Sequence, residues 1–193
     1  MSLARVNYLS HLLENSTEYN LGFEDSMFKP EKTIYLTLLK NTGIHRLFLG
    51  TYELDAPKEE SFSDLWNVCE AFLEGSKEKP RKLAELINTL KARPFKLKQG
   101  VIDLWIPTYL IIKKNDYSLY NDSGVFIPFI NREVLDIMQK SPGGFQIKAF
   151  NVEGVKLDLY NKYREALNLS QDSEFTAASL IAVSYTHLRA HET

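Results

Sequence analysis

The chain has 193 residues, is 44% hydrophobic, 12% aromatic and 25% charged, and carries a formal net charge of -2. This composition excludes disordered, collagen-like and disulfide-dense secreted scaffolds, and the length holds one domain or two small ones sharing an interface. Cys69 is the single cysteine, which excludes an internal disulfide and a cysteine-based zinc site. No basic-then-apolar leader opens the chain and no run reaches the roughly 18 apolar residues of a membrane span, so the sequence reads as cytoplasmic with no membrane partner.

In chain order, Val6, Leu9, Leu12 and Leu13 form a helical stripe within Leu3 to Glu14. Pro30 suits a first helical position, and Ile34, Tyr35, Leu38 and Leu39 carry the next stripe until Gly43 stops it. Leu47 to Leu54 leans to strand, and the region from there to Ser61 reads as loop. Ser61 or Ser63 can cap a helix with Leu65, Val68, Cys69 and Phe72 on one face, closed by Gly75. Pro80 opens a helix with Leu83, Leu86, Ile87 and Leu90 inward, ended by Pro94. Between Lys98 and Lys114 apolar residues surround the axis almost completely, the mark of a buried helix; its core is Gly100 to Ile112, and Pro107 should kink it. Tyr117–Tyr120 and Val125–Phe129 flank a turn at Asn121-Asp-Ser-Gly124, a hairpin at about 117–129 whose second strand lies at an edge because of Pro128. Asn131 caps a helix to Lys140, with Ile130 and Leu135 as a hydrophobic staple. Pro142-Gly-Gly144 then leads into a strand at Phe145 to Val152, and a last amphipathic helix runs from about Val155 to Leu167.

The final eleven residues, Val183-Ser-Tyr-Thr-His-Leu-Arg-Ala-His-Glu-Thr193, resemble one reading frame of a sequencing adapter. They are read as non-native and set aside, together with the metal-like spacing of His187 and His191. On this reading the natural protein continues beyond Ile181 and the chain is a fragment. Four segments are expected: a helical lead-in at 1–76, a winged-helix-like module at 77–168, the start of a truncated continuation at 169–182, and the adapter at 183–193. The fold class is α+β, predominantly helical, with a winged-helix-like centre.

No motif assembles an active site. There is no phosphate-cradling Gly-x4-Gly-Lys-Ser/Thr loop and no Gly-x-Ser-x-Gly elbow. Ser141-Pro-Gly-Gly144 has the reverse of the strand-to-helix order that a phosphate loop needs. Cys69 sits on an apolar stripe and reads as a core residue. His45 follows a helix-ending glycine and reads as solvated or as interacting with the helix end. Asp116 and Asp122 read as turn residues rather than calcium ligands, since Tyr120 breaks the alternation of oxygen donors. Catalytic and metal-ligating residues are expected to be none; an enzyme would need an unfamiliar site drawing on Asp103, Tyr109 or Asn161.

Charge is the informative pattern. Residues 1–76 hold 6 basic and 12 acidic groups, residues 77–98 hold 8 and 2, and residues 99–193 hold 9 and 11. Lys77, Lys79, Arg81, Lys82, Lys91, Arg93, Lys96 and Lys98 thus form the one strongly cationic block, around a single expected helix. Such a block contacts nucleic-acid phosphates, or is a solvated face balanced against the acidic N-terminal part or a partner. In a winged helix the third helix reads the major groove. Here it offers mainly Asp103 and Thr108, with Lys98 and Gln99 at its start, whereas base reading calls for Arg, Asn or Gln. Sequence-specific reading is therefore disfavoured.

Pro94-Phe-Lys-Leu-Lys-Gln-Gly-Val-Ile102, Tyr117-Ser-Leu-Tyr-Asn-Asp-Ser-Gly124 and Phe126-Ile-Pro128 resemble a segment downstream of the ATPase core in large bacterial ATP-binding proteins often encoded near restriction or anti-phage loci. Lys96 stands where that pattern has glycine, and Ser123 is inserted before the hairpin glycine. The resemblance covers about residues 80–165. It implies a parent protein that uses ATP and Mg, with the nucleotide motifs elsewhere and no cofactor in this chain. The implied partners are the rest of the parent ATPase and DNA. It transfers no catalytic residue. The resulting expectation is a non-catalytic regulatory or interaction module of a defence-associated ATPase, with a stand-alone nucleic-acid-binding protein as the alternative.

Overall fold

The computed structural model describes residues 3–26 and 28–150. The expected helix at Val155–Leu167, Asn161, His187 and His191 lie outside these residues. Helix α1 (Leu3–Glu14) is followed by α2 (Pro30–Tyr35), with Pro30 in the first turn, and the chain winds on through a wider turn at Leu36–Lys40. Gly43 ends that run at φ +73°, where a Cβ would press on the Lys58 side chain at 3.0 Å. Strands β1 (His45–Phe48) and β2 (Thr51–Leu54) make a small antiparallel hairpin. The β-leaning stretch therefore starts two residues earlier than expected and folds back on itself at Leu49-Gly50, both at positive φ.

Helix α3 (Glu60–Glu74) starts at Glu60 with Glu59 at its N-cap and no side-chain cap, rather than at Ser61 or Ser63; the Ser61 hydroxyl donates to Glu59 Oε1 instead. Its apolar face of Leu65, Trp66, Cys69, Phe72 and Leu73 is buried. Pro80 does not open a helix. Arg81–Lys82 form a short strand, β3, and α4 (Leu83–Lys91) begins only after it. The cause is non-local: Arg81 and Lys82 pair with Ile147 and Gln146, more than sixty residues on. Helix α5 (Gln99–Ile112) continues through Pro107 and is buried at every position from Trp105 to Ile111.

Strands β4 (Tyr117–Asn121) and β5 (Phe126–Ile127) give the expected hairpin around Gly124, at φ +79°. Pro128, which has no N–H to give, ends β5 after two residues and leaves it at the sheet edge. The main partner of β4 is β6 (Phe145–Ala149), paired from Tyr117 opposite Ala149 to Asn121 opposite Phe145. Between them α6 (Arg132–Lys140) is capped by Asn131, whose Oδ1 accepts the Val134 N–H at 2.9 Å.

The protein is thus α+β and predominantly helical, with a four-stranded antiparallel sheet in the order β3-β6-β4-β5. The path α3–β3–α4–α5–β4–β6, with β3 and β4 flanking β6, has the element and strand order expected of a winged-helix-like centre. Residues 122–144, carrying β5 and α6, occupy the place of the wing. Buried side chains form one cluster from Tyr8 to Ala149, so residues on both sides of position 76 share a core. Trp105 is its centre, edge-on to Phe62 at 5.5 Å and to Trp66 at 6.4 Å, with its indole N–H donating to Cys69 Sγ at 3.3 Å.

Candidate nucleic-acid interface

Helix α4 separates the eight cations into two groups. Nine residues at ~1.5 Å each place its ends about 13 Å apart. The N-terminal group is largely neutralised within the chain. Lys77 Nζ lies 2.8 Å from Glu74, Lys82 Nζ lies 3.2 Å from Asp122, and the Arg81 guanidinium lies 2.9 Å from Glu85 and 4.4 Å from the centre of the Phe72 ring. Lys79 is exposed.

The second group differs. Lys91, Arg93, Lys96 and Lys98 are all exposed, and among the described residues none of them makes an ion pair. They occupy the α4–α5 turn, which the backbone holds tightly: the Lys96 N–H donates to Ala92 O at 2.9 Å and the Leu97 N–H to Leu90 O at 3.0 Å. Phe95 and Leu97 turn inward and pack against the core. Arg93, Lys96 and Lys98 therefore face outward between two apolar anchors. The turn includes a cis Arg93–Pro94 bond and Lys96 at φ +49°.

This turn delivers the chain to the N-terminus of α5, where the first N–H groups of a helix have no partner inside it and attract anions. Lys98 is the N-cap, Gln99 and Gly100 are exposed, and a Cβ at Gly100 would touch nothing within 4 Å, whereas the Val101 N–H already donates to Lys98 O at 2.9 Å. Cations and open amide groups thus share one surface, the chemistry that holds a phosphate.

The rest of α5 is closed to a groove. Asp103 accepts from Arg5 of α1 at 3.0 Å and from Gln99 at 2.6 Å. Thr108 donates to Leu104 O at 2.7 Å and so accepts from the Tyr8 hydroxyl at 3.0 Å. Both polar groups that the sequence offered for base reading are therefore turned to α1. Tyr109 donates to Glu70 at 2.8 Å, and burial followed by the Glu70 charge pushes its pKa far up. Lys113 joins Glu70 and Asp116 at 3.2 and 2.9 Å. Burial opposes the Lys113 charge, yet these two carboxylates outweigh it and raise the pKa. Asp103 and Tyr109 thus serve separate packing contacts and do not converge on a shared centre.

Burial pushes the Cys69 thiol up to about 12, in keeping with a core residue. His45 is neither solvated nor at a helix end: it is 3% exposed, with Nε2–H donating to Ser16 O at 3.1 Å and Nδ1 accepting from the Tyr35 hydroxyl at 3.0 Å. Among the described residues, no three His, Cys, Asp or Glu side chains are placed to hold a metal ion, and no helix is long and apolar enough to cross a membrane.

Two features were not anticipated from the sequence. The tip of the β1–β2 hairpin exposes Leu47, Phe48 and Leu49, the last at 90%. A groove of about 480 Å³ opens between the ends of α1 and α5 and the β4–β5 edge. The hairpin tip had a local signal, three apolar residues before Gly50; the groove had none, because its walls come from four separate elements. Compared with known protein families, curated sequences and solved structures, the chain matches none.

Proposed function

We propose that this chain is a non-catalytic interaction module that lies against nucleic-acid phosphates through its α4–α5 turn, in the setting of a larger defence-associated ATPase. The observation that carries the phosphate contact is the group Lys91, Arg93, Lys96 and Lys98, exposed and without ion pairs among the described residues, beside the open start of α5. The ATPase setting rests on the family resemblance of residues 80–165, which implies ATP and Mg bound elsewhere in the parent protein and the rest of that chain as a partner.

The contact is to backbone rather than bases, since Asp103 and Thr108 are engaged by α1. Affinity should therefore be insensitive to sequence. The test is fluorescence anisotropy with two duplexes of unrelated sequence at low salt. Lys91→Glu/Arg93→Glu/Lys98→Glu should weaken binding to both at least tenfold. Lys77→Gln/Arg81→Gln/Lys82→Gln should change it less than threefold, because those side chains already have acidic partners. Equal losses in the two variants, or binding of one duplex only, contradict the reading.

A further inference from the structure

The α4–α5 turn holds one residue in a conformation that disfavours it. Lys96 has φ +49°, in the left-handed region where a Cβ crowds the backbone and glycine is at ease. Four non-glycine residues among those described have positive φ: Asn20, Leu21, Leu49 and Lys96. Asn20 and Leu21 are buried, and their side chains offset the strain within the fold. Asn20 donates to Asp25 at 2.7 Å and accepts from Lys40 at 2.8 Å, and Leu21 packs in the core. Leu49 and Lys96 are exposed, and of the two only Lys96 stands among cations that make no ion pair. Among the described residues the Lys96 side chain makes neither a hydrogen bond nor an ion pair, so no contact there offsets its strain.

The neighbours explain why its ammonium faces outward. The Lys96 and Leu97 N–H groups are bound to Ala92 O and Leu90 O, and Phe95 and Leu97 both pack inward, so residue 96 between them turns to solvent. We propose that Lys96 is a dedicated contact to a backbone phosphate, held at a cost in stability: glycine would suit the turn better and bind worse. Residues kept in sparsely populated backbone regions by the structure around them cluster at binding sites. Lys91, Arg93 and Lys98 do not share the left-handed conformation, which singles out Lys96 within the group. A lysine ammonium is a compact charge with three donors on a flexible stem, able to meet any phosphodiester whatever base it carries. The proposal rests on the reading of this turn as a phosphate contact.

The experiment measures stability and binding on the same variants of the full chain. Lys96→Gly should raise the urea midpoint, because relief of the Cβ crowding outweighs the added freedom of the unfolded chain. It should also weaken binding to two duplexes of unrelated sequence alike, and reduce the slope of log K against log salt by about one. Lys96→Ala, which keeps the Cβ, should bind as weakly without the rise in midpoint. Lys79→Gln removes one exposed charge at the other end of α4 and should leave the slope unchanged. A Lys96→Gly chain that binds like the wild type overturns this proposal alone when Lys91→Glu/Arg93→Glu/Lys98→Glu still abolishes binding. A lowered midpoint in Lys96→Gly overturns it too, as does an equal loss of slope in Lys79→Gln. A wild-type chain that binds neither duplex overturns both this proposal and the phosphate reading beneath it.

Discussion

His45 shows how much one side chain contributes away from any site. It joins β1 to the loop at Ser16 and, through Tyr35, to α2, and both ring nitrogens are used. Burial is the main reason its pKa falls below the ordinary value of about 6.5; the Ser16 carbonyl pulls the other way, and the Lys40 charge lowers it further. An unfolded chain therefore takes up a proton near pH 6.5 that the folded chain refuses. The contribution to stability is full above that pH and shrinks as pH falls through it, by up to about 1.4 kcal/mol per pH unit until the folded imidazole itself titrates. Urea midpoints should drop between pH 7.5 and 5.5, and the drop should be smaller in His45→Gln. An unchanged drop in that variant would contradict this assignment. The sequence placed His45 after a helix-ending glycine and suggested solvent there, because nothing local shows that Ser16 and Tyr35 close over it.

At the scale of elements, α5 is the keystone and was legible. Its apolar residues leave no polar face, so only burial suits it, and Trp105 at its centre is fully buried. Trp105→Ala should cost about 3–5 kcal/mol, read as a lowered midpoint in chemical denaturation; a loss under 1 kcal/mol would mean that the centre of the core lies elsewhere. What covers α5 was not legible. The lead-in helix α1 reaches it through Arg5–Asp103, with both side chains about one-fifth exposed, and through Tyr8–Thr108. Tyr8→Phe removes one buried hydrogen bond and should cost about 1 kcal/mol. The Asn131 cap and the hairpin at Gly124 were readable because each is a local signal. Strand β3 was not, since two residues after a proline look like a helix start unless their partners on β6 are known.

For the whole molecule, the sequence located the cationic block but not its division. Counted along the chain, eight cations look like one patch; in space α4 holds two groups apart, and Glu74, Glu85 and Asp122 compensate only the first. The acids responsible lie up to forty residues from their partners, so net charge per segment cannot show which cations are left for a ligand. This division makes the phosphate reading specific. If the turn at Lys91–Lys98 alone meets the backbone, about four counterions are released on binding. The most direct test is the affinity for a 20-base-pair duplex measured by anisotropy from 25 to 200 mM salt. The expected slope of log K against log salt is about -3 to -4, falling towards zero in Lys91→Glu/Arg93→Glu/Lys98→Glu. No measurable binding at 25 mM, or a slope that the triple substitution leaves unchanged, would contradict it.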